Sequence, residues 1–198
     1  MSRPTWDIAL AALREHLGER AVTHSEAVAD TAGRLAQTYG VDEGDARLAG
    51  LLHDWSREET AETLLELAGE RGIPVGPVDQ SVPYLLHAPV GARALADRFP
   101  GIPEEVVGAV ACHTVGSPVM SDLDMVVYLA DMIEPSRRSE GVDSLRVAVG
   151  AVSLFELYAR AYAQSITHLV AAGKHIHPST VESWNAIVDR LRSTETAS

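Results

Sequence analysis

Three features of the sequence predict an all-α fold. Apolar residues recur at helical spacing along nearly the whole chain, no segment alternates apolar and polar residues between hairpin turns, and several helix starts carry capping residues. The chain has 198 residues, which is enough for one domain with a buried core. We therefore predict a single helical bundle over residues 1–198, with a core at about 20–140 and additional C-terminal helices at about 141–192.

The apolar stripes that define the predicted helices follow one another along the chain. They consist of Leu10, Leu13 and Leu17; Val28, Ala32, Leu35 and Tyr39; Ala46, Ala49, Leu51 and Leu52; Val106, Val107 and Val110; Leu123, Val127 and Tyr128; Leu145, Val149, Val152, Leu157 and Ile166; and Val181, Trp184, Val188 and Leu191. Gly40 predicts the end of the second helix, because glycine accepts the left-handed conformation that closes many helices.

Pairs of side chains three residues apart mark predicted helix starts, because each member can satisfy a free backbone amide near the other. The pairs are Thr23 with Glu26, Ser56 with Glu59, Ser179 with Glu182 and, more weakly, Ser121 with Asp124. Residues 72–77, rich in glycine and proline, predict a loop, and Gly141 marks a weak boundary before the C-terminal helices.

The charge and cysteine content limit the classes of function. A formal charge of −12 disfavours a large contact with nucleic acid or an anionic membrane, but it is compatible with a small phosphorylated ligand. The single cysteine, Cys112, allows no intrachain disulfide and fits a reducing compartment. With no signal peptide and no apolar run of membrane-spanning length, we expect a cytoplasmic protein.

Histidines and aspartates stand at the polar ends of several apolar stripes. They are His24, His53, Asp54, His113 and Asp131. A single histidine on such a face is more often a hydrogen-bonded core residue than a ligand. An unpaired buried aspartate is costly, however, and a divalent cation removes that cost while keeping imidazole rings neutral. Because several helices place such groups inward, the sequence predicts one shared metal site.

Longer motifs around these residues carry a family resemblance. The order His24, His53-Asp54, His87, His113, Asp131 resembles the HD-domain superfamily of metal-dependent phosphohydrolases. The motifs at 23–25, 49–54, 86–92, 113–116 and 128–137 resemble the YqeK family of symmetrical bis(5′-nucleosyl)-tetraphosphatases. This resemblance extends from about residue 23 to 185 and implies an HD-domain helical bundle with a C-terminal helical extension.

The resemblance implies a set of metal ligands. These are His24, His53, Asp54 and Asp131, with iron as the expected ion, manganese as an alternative and a second ion allowed for. Mixed imidazole and carboxylate ligands suit either metal, and the open coordination positions leave room for water and phosphate.

The resemblance also implies substrate contacts. His87 and His113 face the open side of the metal, where they would either hold substrate phosphates or complete a second metal site. Thr114 offers a hydroxyl to phosphate, and Arg137 offers a planar donor group. Asp131 and Arg137 count as nucleotide contacts too, and the C-terminal positions that face the nucleotide are His177, Thr180 and Asn185. Two departures from the family pattern are Ala21, where an arginine is common, although Arg20 lies beside it, and Met125, where a lysine is common.

The expected reaction is hydrolysis of diadenosine tetraphosphate or a related dinucleoside polyphosphate at its central anhydride, which gives two ADP. Asp54 is the expected base, while His87, His113 and Arg137 offset the charge on the transferred phosphoryl group. Two alternatives remain open. One is an HD phosphohydrolase acting on a nucleoside monophosphate, a deoxynucleoside triphosphate or a guanosine polyphosphate. The other is a regulatory module that binds nucleotide without turnover. A homodimer is compatible with the resemblance.

Overall fold

The computed structural model describes residues 2–195, which form eleven α-helices and one 3₁₀ helix and contain no β-strand. The α-helices are α1 (Trp6–His16), α2 (Glu19–Tyr39), α3 (Glu43–Leu52), α4 (Ala61–Glu70), α5 (Pro77–Ser81), α6 (His87–Arg98), α7 (Glu104–Cys112), α8 (Asp122–Ile133), α9 (Val142–Ala148), α10 (Leu154–Ala171) and α11 (Pro178–Glu195). The 3₁₀ helix, Pro83–Leu86, leads directly into α6. The all-α prediction is confirmed.

Some helix ends agree with the sequence and others do not. Gly40 closes α2 with φ of 75°, and Ser121 with Asp124 forms the capping box of α8, as predicted. The other three predicted capping boxes are wrong. Thr23 lies inside α2, where its hydroxyl donates to the carbonyl of Glu19 within the helix.

The remaining two predicted starts also fail for local reasons. Ser56 lies in a turn after α3, and the hydroxyl of Thr60 caps α4 instead. Helix α11 begins at Pro178, one residue before Ser179, because the fixed φ of proline suits the first position of a helix.

The core is built around α2, which packs against both α3 and α8. Helix α7 lies against α3 and α8, and the C-terminal α10 packs on α8. A smaller apolar cluster, formed by Leu64, Ala68, Leu86 and Val90, joins α4 to α6. This packing brings the ends of α3 and α7 together with the N-terminal part of α2 and the end of α8. Within residues 2–195, no helix is both long enough and apolar enough to cross a bilayer.

Helices α2 and α3 are in close contact at Gly50. A Cβ atom built on Gly50 would lie 2.9 Å from the Cα of Ala29 and 3.1 Å from its backbone nitrogen. Because these are backbone atoms, no side-chain rotation can relieve the contact. The glycine therefore sets the distance between α2, which carries His24, and the end of α3, which carries His53.

We predict that Gly50→Ala lowers the free energy of unfolding by about 1–3 kcal/mol, since the added methyl group overpacks this contact. Gly69→Ala on α4 is the matched control, because a Cβ there meets nothing within 4 Å. The control should stabilise the protein by about 0.5–1 kcal/mol through helix propensity. Urea unfolding followed by circular dichroism measures both, and equal effects would contradict the close-contact explanation.

Candidate metal centre

Helix positions in or beside the core bring the predicted ionisable residues to one place. His24 lies on α2 and Asp131 on α8, while His53 with Asp54, His87 and His113 stand at or directly beyond the ends of helices. His53, Asp54, His87 and His113 are buried, with side-chain exposures of 0, 1, 2 and 3 %. These polar groups lie together within a largely apolar core.

Four of the side chains converge closely. His24 Nε2 lies 3.0 Å from Asp131 Oδ1 and 3.7 Å from Asp54 Oδ2. His53 Nε2 lies 3.2 Å from Asp54 Oδ2 and 3.8 Å from Asp131 Oδ1. Two imidazole nitrogens and two carboxylate oxygens therefore lie close together, in two overlapping groups of possible ligands: His24, His53 and Asp131, and His53, Asp54 and His113.

A repeated backbone contact orients three of the histidine rings. The Nδ1 atom of each ring meets the carbonyl oxygen three residues earlier: Gly50 for His53 at 2.8 Å, Tyr84 for His87 at 2.6 Å and Val110 for His113 at 2.7 Å. A carbonyl can only accept, so Nδ1–H donates in each case. In the neutral ring, Nε2 then carries a lone pair and points it into the cluster, as a metal ligand must.

His24 is oriented by a carboxylate instead. Its Nδ1 lies 3.4 Å from Oε1 of Glu134, whose side chain is fully buried. Glu134 also accepts from the backbone and hydroxyl of Ser136, which fixes the carboxylate in place. A carboxylate behind a ligating histidine is a common arrangement in metal sites, because it sets the tautomer and raises the basicity of the ring.

The unpaired polar atoms of the cluster suit a divalent cation. Among the described residues, His24 Nε2, His53 Nε2 and Asp54 Oδ1 are buried without a hydrogen-bond partner. His24, His53 and Asp131 each offer a ligand atom within 4.8 Å of the others. Since unpaired buried donors and acceptors are costly, a cation bound among them would remove a large penalty.

A second group of atoms lies on the other side of Asp54. Asp54 Oδ1 is 3.2 Å from His87 Nε2 and 3.6 Å from His113 Nε2, and the two nitrogens are 3.1 Å apart. The hydroxyl of Thr114 lies 3.3 and 3.2 Å from the same two nitrogens. With both Nδ1 atoms donating to carbonyls, these Nε2 atoms bring lone pairs together, which favours a proton or a cation between them.

The electrostatics of the metal-free cluster place positive charge on His53. Burial opposes that charge, but Asp54 and then Asp131 outweigh it and raise the pKa of His53 to about 9. Burial would also raise the pKa of Asp54, yet the charge of His53 and the approach of His113 and His87 hold it well below its usual range. Burial lowers the pKa of His113. Both aspartates of the cluster are thus anions, since the pKa of Asp131 is lowered as well.

Two arginines stand against the two aspartates. The Arg57 guanidinium lies 2.6 Å from Asp54 Oδ2, and Arg137 contacts both the carboxylate and the backbone carbonyl of Asp131. Arg137 was predicted to contact the substrate phosphate and nucleotide; in the structure it also holds Asp131. Each guanidinium is about a third exposed and keeps further N–H donors for a ligand.

The cluster opens into a cleft of about 650 Å³, here called the first cleft. Its walls include His87, His113, Thr114, Asp131 and Arg137. On the same wall, the guanidinium group of Arg57 lies over the ring of Tyr84, with Cζ 5.6 Å from the ring centroid. A ligand in this cleft would touch aromatic, cationic and hydroxyl groups beside the predicted metal ligands.

The three predicted C-terminal nucleotide contacts lie elsewhere in the structure, and none lines the first cleft. His177 Nε2 lies 3.2 Å from Asp79 Oδ1, which ties α11 to α5. The buried Thr180 hydroxyl donates to the carbonyl of Val115, and Asn185 is exposed on α11. Their local partners account for this placement: His177 and Thr180 satisfy groups at helix junctions instead of facing the cleft.

The two departures from the family pattern have different surroundings. Met125 is 1 % exposed and packs in the core of α8, so its replacement of a lysine leaves the first cleft unchanged. Arg20, one residue before Ala21, lines the first cleft itself. An arginine therefore borders the site even though the position of Ala21 has lost one.

Two residues that contact the cluster, Glu134 and Arg57, were not predicted from the sequence as part of the site. Glu134 follows Asp131 by three residues, a helical spacing that could have indicated a shared face. Arg57 stands three residues after Asp54, and the same spacing applies, although this segment forms turns instead of a helix.

Comparison with known proteins identifies the family. The model of the HD domain matches residues 21–136. A symmetrical bis(5′-nucleosyl)-tetraphosphatase of Bacillus subtilis is 32 % identical over 91 % of this chain and 96 % of its own, and one of Staphylococcus aureus is 29 % identical over 87 % and 89 %. A solved structure from Clostridium acetobutylicum, described as a predicted HD superfamily hydrolase involved in NAD metabolism, superposes with a TM-score of 0.87 at 36 % identity, covering 96 % of this chain and all of its own.

The family model covers more than half of the chain and includes the predicted ligands His24, His53, Asp54 and Asp131. The named relatives extend the similarity over most of the remaining length. The chain therefore belongs to the HD domain family and is a phosphohydrolase.

Proposed function

We propose that this protein hydrolyses diadenosine tetraphosphate, or a related dinucleoside polyphosphate, at the central anhydride to give two ADP. The observation that carries the proposal is a local reversal of charge. In a chain of net charge −12, the first cleft is lined by Arg20, Arg57, Arg137 and Arg138 beside the His/Asp cluster. Such a wall favours a polyphosphate, and the names of relatives that match almost end to end supply the dinucleoside class.

The residues that would hold the metal are His24, His53, Asp54 and Asp131, whose donor atoms suit iron or manganese. His87, His113 and Asp54 Oδ1 also lie close together, so the proposal leaves open the binding of a second ion at these three residues. A divalent cation supplies Lewis acidity there, which polarises a phosphoryl oxygen and brings the pKa of a water toward neutrality. A cytoplasmic location and a homodimer stay predictions.

The side chains have separate tasks in this proposal. Asp54 Oδ1 orients the attacking water and accepts its proton, because Oδ2 is taken by Arg57. Water attacks one of the two central phosphorus atoms, and the bond from that phosphorus to the bridging oxygen breaks. The bridging oxygen leaves on the second ADP.

Charge on the phosphoryl group is offset by the cationic wall. Arg57 and Arg137 each use one edge of the guanidinium on an aspartate, so both are held in place with donors left for phosphoryl oxygens. His87, His113 and the Thr114 hydroxyl border the same space and contribute further polar contacts. Preorganised donors of this kind stabilise charge as it develops in phosphoryl transfer.

The first prediction concerns the products. Protein loaded with iron under anaerobic conditions, or with manganese, should convert diadenosine tetraphosphate to ADP alone, resolved by ion-exchange chromatography. AMP with ATP would place the attack at an outer phosphorus and overturn the proposed cleavage site. If no product forms, nucleoside monophosphates, deoxynucleoside triphosphates and guanosine polyphosphates are tested as alternative substrates. Bound nucleotide without turnover would support a binding module.

The second prediction concerns a metal ligand. His53→Ala should abolish hydrolysis and reduce bound metal, because it removes a donor from the centre of the cluster, whereas loss of a substrate contact alone would mainly raise KM. Metal content by mass spectrometry and the rate of ADP release are the measurements. His168→Ala, at an exposed position on α10, is the matched control and should change neither. Full activity in His53→Ala would contradict the assignment.

The third prediction concerns Glu134. Glu134→Gln should weaken cation binding by about 10- to 100-fold, since the charged acceptor behind His24 is lost while the shape is kept. Titration of the metal-free protein with manganese, followed by electron paramagnetic resonance, gives the affinity directly. Glu182→Gln, exposed on α11, serves as control. An unchanged affinity in Glu134→Gln would remove Glu134 from the metal centre.

A further inference from the structure

A second cleft lies on the other side of the cluster. Its volume is about 840 Å³, and it reaches His24 and Glu134, whereas the first cleft reaches His87 and His113. Both volumes fall within the range of about 300–1,000 Å³ that is usual for small-molecule sites. The His/Asp cluster therefore has a ligand-sized space on each side.

The two clefts share one wall. Arg20, Arg57, Ser136 and Arg137 line both of them. The wall combines three guanidinium groups, and Arg57 and Arg137 are fixed by Asp54 and Asp131 of the cluster. Phosphate is thus attracted to the boundary between the clefts, beside the predicted metal ligands.

Beyond that wall the second cleft changes character. Glu19 and Glu58 contribute carboxylates, and Ala21 and Ala27 leave space between them. Glu58 uses Oε2 to accept from the backbone of Gly18, so Oε1 remains as an acceptor. Carboxylates repel phosphate but accept hydrogen bonds from hydroxyl and amino groups, which are the polar groups of a nucleoside.

We propose that the second cleft binds the second nucleoside of a dinucleoside polyphosphate. The first nucleoside occupies the first cleft, and the polyphosphate crosses the shared arginine wall, so that its central anhydride lies at the cluster. This inference rests on the proposed function and adds the location of the second half of the substrate. It accounts for the three arginines shared by the clefts and for Glu19 and Glu58 in the second one.

The test compares two substrates that are cleaved at the equivalent bond. Diadenosine tetraphosphate needs both clefts, whereas adenosine tetraphosphate, cleaved to ADP and pyrophosphate, needs only one nucleoside site. Ala27→Phe fills the second cleft from a half-buried position on α2, and Thr23→Trp fills it from an exposed position on the same helix. If one of these variants fails to fold, the other can still be measured.

We expect each variant to lower the ratio of kcat/KM for the dinucleotide over the mononucleotide by about tenfold or more, as for loss of a side-chain-sized pocket. Ala11→Phe makes the same substitution at an exposed position of α1 that borders neither cleft, and it should leave the ratio unchanged. An unchanged ratio in folded Ala27→Phe and Thr23→Trp would overturn the inference.

Binding of ADP to the manganese-loaded protein gives a readout without turnover. Equilibrium dialysis should find two ADP per chain for the unmodified protein and one for Ala27→Phe. One ADP for the unmodified protein would overturn the second site. Absence of hydrolysis of diadenosine tetraphosphate by the unmodified protein would instead reject the proposed function, while two bound ADP would still support the second nucleotide site.

Discussion

Three imidazole rings are held in the same way, by a bond from Nδ1–H to the carbonyl three residues earlier in the chain. The carbonyls of Gly50 and Val110 lie in the last turn of their helices, where carbonyls lack the usual helical partner. The carbonyl of Tyr84 also accepts from the backbone N–H of His87. The bond from Nδ1–H also decides the chemistry of the other nitrogen, because a ring that donates from Nδ1 can present a lone pair only from Nε2. Three helix ends thus present their Nε2 atoms to the same cluster.

The packing of α2 on α3 positions His24 relative to these rings. At Gly50 the two helices are too close for a Cβ atom, so this contact restrains the distance from α2 to the end of α3. The cluster in turn brings buried charge into the core, and Arg57 and Arg137 offset part of that charge from the cleft side. Apolar packing and polar geometry therefore constrain each other, and a cation completes the balance that the side chains leave open.

The apolar periodicity of the sequence was enough to predict the helical fold. It also placed five ionisable residues on inward faces: His24, His53, Asp54, His113 and Asp131. Local capping patterns were less reliable, since Thr23 is satisfied inside α2 by a carbonyl of its own helix. The roles of Glu134 and Arg57 depend on contacts to His24 and Asp54 that short spacing suggests only weakly. His177 lay beyond prediction for another reason: its partner, Asp79, is 98 residues away in the chain.

The contrast between the acidic chain and the basic wall bears on the choice of ligand. Charges in solution are screened over about 8 Å at physiological salt, so the net charge of −12 acts at the surface while the guanidiniums act inside the clefts. A long polyanion would lie across the acidic surface to reach the cluster, whereas a short polyphosphate would lie mainly against the arginines that line the clefts. The same distribution favours neutral ends on the ligand, because Glu19 and Glu58 lie beyond the wall in the second cleft. This distribution supports the proposed ligand, a short polyphosphate with an uncharged nucleoside at the end that enters the second cleft.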